Sequence, residues 1–195
     1  MFPDGTYSPI LCGNDTKGDL FGQVINYGNP TALSSSVAAP TPQYNGNISQ
    51  TIWQVSGRER QAYNYIYDDL DRLLEGRYYD ISDEDPMSEE NSSVVSTDFK
   101  FNEALTYDKR GNILSLQRNG MIAACSTPSR AVCGTFGQID GLAYSYNDKN
   151  QVTKILDNTT DATARAKGFK AGNLNDTQYT YDANGNMTSD KNKKI

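Results

Sequence analysis

The sequence predicts an all-β protein in which sequential antiparallel β-hairpins form a curved open sheet. Two observations carry this: a tyrosine-led turn motif that returns four times, and strand-period alternation just upstream of each copy. A third is composition, since 13 Tyr, 6 Phe and 1 Trp among 195 residues make tyrosine the main source of apolar mass.

The motif occupies residues 67–73, 107–113, 146–152 and 181–187, led by Tyr67, Tyr107, Tyr146 and Tyr181. Its second position holds Asp68, Asp108, Asn147 and Asp182, whose side-chain oxygens can accept from backbone amides two residues on and close a turn. Its fifth position holds Asp71, Gly111, Asn150 and Gly185, the residue types that tolerate positive φ, as a three-residue hairpin loop ending in a bulge requires. Its seventh returns an apolar residue, Leu73, Ile113, Val152 or Met187, expected on the face that carries the tyrosines. Two residues before each anchor, Tyr65, Leu105, Tyr144 and Tyr179 extend that face. An isolated hairpin is marginal in water, so the units are expected to lie side by side.

The remaining elements follow in chain order. Residues 1–17 form an N-terminal segment, and 18–195 the repeat region. Residues 18–27 alternate as a strand, 31–43 are a Ser/Ala/Pro loop, and Tyr44 to Ile48 is a compressed turn leading into a strand through Trp53 and Val55. Over 60–75 two periods compete: Tyr63, Tyr67, Leu70 and Leu74 also fit an amphipathic helix. Residues 80–93 form an acidic insertion, 119–141 a cysteine-bearing loop, and 162–167 one helical turn.

Net charge −6 leaves no basic footprint, so nucleic acid is not expected as a partner. No histidine is present, so no Ser-His-Asp or Cys-His nucleophile can be assembled from this chain; no catalytic residue, metal ligand or cofactor is assigned, and no enzyme is expected. The start of the chain has neither a basic stretch nor an apolar run, so no membrane insertion is expected. Asp182-x-Asn184-Gly185-Asn186 looks superficially like a calcium loop but lacks a bidentate acid, so the turn reading is preferred; the acidic insertion is the other oxygen-rich candidate for calcium. Cys125 and Cys133 could meet across a hairpin end as a disulfide, or all three cysteines, Cys12 included, could be free thiols. Trp53, Tyr63, Tyr78 and Tyr79 are candidates for stacking on a glycan; regular packing between strands is the competing role.

The Tyr-Asp-x-x-Gly-Asn-Met run at 181–187, the Gly168 to Asn173 stretch before it, and Pro42 to Ser49 together resemble bacterial YD-repeat (Rhs) proteins over roughly residues 18–195. Asp71 and Asn150 depart from the turn glycine, and Asn147 from the aspartate. The resemblance implies a segment of shell wall that encloses a toxin or other C-terminal polypeptide, secreted or at a bacterial cell surface. Its implied partners are the rest of the shell and the enclosed polypeptide. Adhesion through exposed aromatics is the alternative, and an open sheet of this kind also offers its edges for self-association.

Overall fold

The computed structural model describes residues 20–83, 92–94, 99–127, 132–170 and 177–193, with backbone alone at 82–83 and 92–94. The protein is mostly β. The strands are β1 (Phe21–Asn26), β2 (Gln50–Val55), β3 (Arg60–Tyr67), β4 (Leu73–Asp83), β5 (Ser92–Val94), β6 (Glu103–Tyr107), β7 (Ile113–Ala124), β8 (Gly134–Tyr146), β9 (Val152–Asp157), β10 (Tyr179–Tyr181) and β11 (Met187–Asp190). One short helix, α1 (Ala162–Arg165), is capped by Asp161, whose side chain accepts from the Ala164 amide. No described helix is long and apolar enough to cross a membrane.

The chain divides into two compact units. Within the first the strand order is β1-β2-β3-β4, with β5 also on β4; within the second it is β6-β7-β8-β9, and β10 and β11 pair with each other. The β1–β2, β2–β3, β4–β5, β6–β7, β7–β8, β8–β9 and β10–β11 pairs are antiparallel. Neither order closes on its first strand, so the sheet is open.

Alternation gives the first unit two distinct faces. Ile52 and Ala62 are opposite each other across β2 and β3, and with Ile81 and Tyr79 of β4 they receive Leu33 and Val37 from the 31–43 loop. That loop is folded back on itself by its own bonds: Leu33 N–H donates to Val37 O at 3.0 Å, and Val37 N–H to Ser34 Oγ at 3.1 Å. Beside this small core sits Gln50, fully buried and fully bonded. Its Oε1 accepts from Asn26 Nδ2 at 2.8 Å and Thr31 N at 3.1 Å, while its Nε2 donates to Thr31 O at 2.8 Å and Asn64 Oδ1 at 2.9 Å. A satisfied amide of this kind fixes the path of the loop in a way a methyl group cannot.

In the second unit the corresponding anchor is a buried carboxylate. Asp140 lies opposite Arg118 in the β7–β8 register, and its Oδ2 accepts from Arg118 Nε at 2.7 Å. Its Oδ1 accepts from the Phe169 amide at 2.5 Å, which draws the segment after α1 onto the sheet. That approach is possible because residue 168 is glycine: a Cβ there would collide with Ile139 O and Asp140 Oδ1.

Over 60–75 the hairpin prevails over the helical alternative: these residues form β3, a turn and the start of β4, because the turn bonds described below close the chain at 68–72. Two expectations need correction. The acidic insertion is narrower than 80–93, since β4 runs to Asp83, Asp80 is buried within it, and Ser92–Val94 pair back on it; the acidic residues between lie outside the described residues. The cysteine-bearing loop is likewise shorter than 119–141, because β7 and β8 extend through most of that range and pair along it. Cys125 and Cys133 form a disulfide at the open end of these strands, with Cα atoms 5.7 Å apart; Cys12 and the rest of 1–17 lie outside the described residues.

Gly168→Ala should therefore lose about 1–3 kcal/mol by overpacking against β8. Equilibrium denaturation measures this, and wild-type stability would contradict the close approach.

Candidate functional site: a repeated turn with a tyrosine staple

The four motif turns share one set of bonds. In each, the second residue donates its amide to the carbonyl of the sixth and accepts, through its carbonyl, the amide of the fifth: Asp68 N to Arg72 O and Asp71 N to Asp68 O, then the same for Asp108, Asn147 and Asp182, all between 2.9 and 3.2 Å. The fifth residue is left-handed throughout, with φ of 62° at Asp71, 90° at Gly111, 61° at Asn150 and 89° at Gly185. Aspartate and asparagine occupy two of these places because their short polar side chains tolerate that conformation best among non-glycine residues.

The second side chain organises the turn. Asp68 Oδ1 accepts from the amides of Leu70 and Arg72, both at 2.9 Å, and Asp108, Asn147 and Asp182 repeat the two bonds within 2.8–3.0 Å. The sixth side chain then reaches back. Arg72 Nε, Asn112 Nδ2 and Asn186 Nδ2 donate to the second carboxylate oxygen at 2.7, 2.8 and 2.9 Å. In the asparagine turn the polarity inverts: Asn147 Nδ2 donates to Gln151 Oε1 at 2.8 Å. An amide has no second acceptor to offer, so its partner must be able to accept, and a glutamine is.

Each anchor tyrosine completes the arrangement with its hydroxyl. Tyr107 donates to Leu73 O, Tyr146 to Ile113 O and Tyr181 to Val152 O, at 2.8, 2.8 and 2.9 Å. The acceptor is every time the seventh residue of the preceding motif. Tyr67 does the same to Ile48 O at 2.8 Å, and Ile48 ends the compressed Tyr44 turn, which is thereby placed in the series. Turns also touch sideways: Asn47 Nδ2 donates to Asp71 O at 3.3 Å, and Asn150 Oδ1 accepts from Arg110 Nη1 and Asn112 Nδ2 at 3.1 and 3.2 Å.

Spacing in the sequence places the second and fifth positions but misses two of the parts. The sixth position is polar with an N–H in all four copies, a visible signal. The carbonyl of the seventh has no signature, because it is backbone. The calcium-like stretch at 182–186 is occupied by its own turn, since both oxygens of Asp182 are spent on Asn184 and Asn186.

The four aromatic residues considered for glycan stacking do not share one surface. Trp53, Tyr63 and Tyr78 cluster on one face with centroids 5.5–6.2 Å apart, and Tyr78 is buried there, its hydroxyl donating to Asp80 Oδ1 at 2.6 Å. Tyr79 points to the other face, against Leu33, Ala62 and Ile81. Trp53 stacks on Tyr63, and Tyr63 on Tyr65, so these ring faces are spent on one another. No family model matches the chain, and no curated protein matches it.

The bonds set the charge states. The Arg72 amide, Asn112 side chain and Asn186 side chain are the leading causes that hold Asp68, Asp108 and Asp182 below the usual carboxylate range. Burial pushes Tyr67, Tyr144, Tyr146, Tyr179 and Tyr78 up, with Asp80 adding to the last. A depressed carboxyl contributes stability that is complete above its ordinary value near 3.8 and lost as pH falls below it. A raised phenol contributes stability that is complete below 10.0 and lost as pH rises beyond it. Thermal melts across pH should therefore show a plateau that falls at both ends; a melting temperature that stays flat above pH 10.0 would contradict the buried phenols.

Proposed function

We propose that this chain is a non-catalytic structural repeat segment of the YD-repeat (Rhs) kind, part of a wall that encloses a toxin or other C-terminal polypeptide. The observation that carries the reading is the recurrence of one bond pattern at four turns, with each tyrosine fastened to the carbonyl that ends the motif before it. The repeated polar side chains are consumed in holding the backbone. Asp68, Asp108 and Asp182 bond their own turns, and the tyrosines bond their neighbours. Such a design builds surface by repetition.

The Cys125–Cys133 disulfide supports an oxidising destination, secreted or at the cell surface, where such bonds persist. The partners of this reading are the remaining repeats and the enclosed polypeptide.

Limited proteolysis of the full-length polypeptide encoded at this locus tests it. The C-terminal polypeptide should resist protease while the repeats are folded and become cleavable once denaturant opens them. Cleavage at the rate of the isolated polypeptide under native conditions would overturn the proposal.

A further inference from the structure

The first unit ends at β1, whose outer edge no described residue pairs. Ser56 N–H donates to Leu20 O at 3.0 Å in the β1–β2 register, so residues 20, 22, 24 and 26 turn their backbone groups toward β2. Phe21, Gln23 and Ile25 therefore turn theirs outward. Proteins ordinarily protect such an edge with lysine, proline, a bulge or an inward charge. The strand reads Phe-Gly-Gln-Val-Ile-Asn, contains none of these residues, and pairs with β2 without a register shift.

The side chains on the same residues are exposed. Phe21 is 55% and Ile25 44% exposed, on the face that also carries Trp53 and Tyr63. An open edge flanked by exposed apolar groups calls for an added strand, and the sequence of β1 says which strand fits. In an antiparallel pairing of β1 with itself, centred on Gln23, Phe21 lies opposite Ile25 of the second copy, Gly22 opposite Val24, and Gln23 opposite Gln23. The two exposed apolar side chains of the outward face, Phe21 and Ile25, then meet each other, and Val24 faces a glycine. The three residues with outward backbone groups also fall opposite one another, which gives about six interchain hydrogen bonds. No other antiparallel register of β1 with itself aligns the outward groups of all three residues and also opposes Phe21 to Ile25.

We propose that two copies of this chain associate through β1 edges in a two-fold antiparallel pairing centred on Gln23. A self-complementary patch of this kind gives a closed dimer rather than a fibre. The inference rests on the edge alone and stands or falls separately from the wall proposal.

Sedimentation equilibrium into the high micromolar range, in a Cys12→Ser background that keeps interchain disulfides out, should show reversible dimers. Gln23→Pro removes only an outward amide, so it should abolish the dimer and keep the monomer's circular dichroism. Should that variant fail to fold, Phe21→Lys and Ile25→Glu replace it. Each alone should be monomeric, and the double variant, which sets opposite charges facing each other across the axis, should regain the dimer. A monomer at every concentration would overturn the proposal, as would a dimer that survives both Phe21→Lys and Ile25→Glu, or a monomer that captures an unrelated strand peptide while ignoring its own copy.

Discussion

A single carboxylate or amide oxygen, set just after a tyrosine, is the constraint on which the hairpins depend. It gathers two backbone amides that would otherwise point into solvent at the bend, and so fixes where one strand stops and the next begins. Once the corner is fixed, the register follows, since a strand slipped by one residue would turn its tyrosine face to the wrong side. The phenol then transfers that register backward, from each corner to the end of the motif before it. Cooperation of this sort lets short strands, which have little apolar area of their own, keep a defined pairing.

The asparagine turn shows how the constraint tolerates variation. Replacing Asp by Asn at 147 keeps the acceptor for the two amides but turns the other side-chain atom into a donor. Gln151 answers by accepting, where Asn112 and Asn186 donate. Likewise Asn150 holds a left-handed backbone without glycine and uses its side chain to bind the neighbouring turn through Arg110 and Asn112. The departures from the repeat are thus coupled within and between turns.

Much of this was legible in the sequence because turn chemistry is local. The positions that need an acceptor or a positive φ lie within a few residues of one another, and their types say so. The strand expected over 18–27 and the helical turn expected over 162–167 are found, somewhat shorter, at Phe21–Asn26 and Ala162–Arg165. What stayed hidden is long-range. Nothing in Gln50 announces that it bonds Asn26, Thr31 and Asn64, and nothing in Asp140 announces Phe169, because those partners become neighbours only after folding. Asp80, set in an acidic run, reads as solvated and is instead buried beneath the hydroxyl of Tyr78. Tyr78 and Tyr79, adjacent in β4, face opposite ways in the sheet as strand alternation requires.

The phenol-to-carbonyl bond is the part most specific to this account, and it can be removed without disturbing shape. Equilibrium denaturation of Tyr107→Phe, Tyr146→Phe and Tyr181→Phe, taken singly, measures it most directly. Each variant should lose about 1 kcal/mol, the net value of a hydrogen bond whose acceptor is left behind. Three variants as stable as the parent would mean that the tyrosines only pack, and that the repeats are held in register by something else.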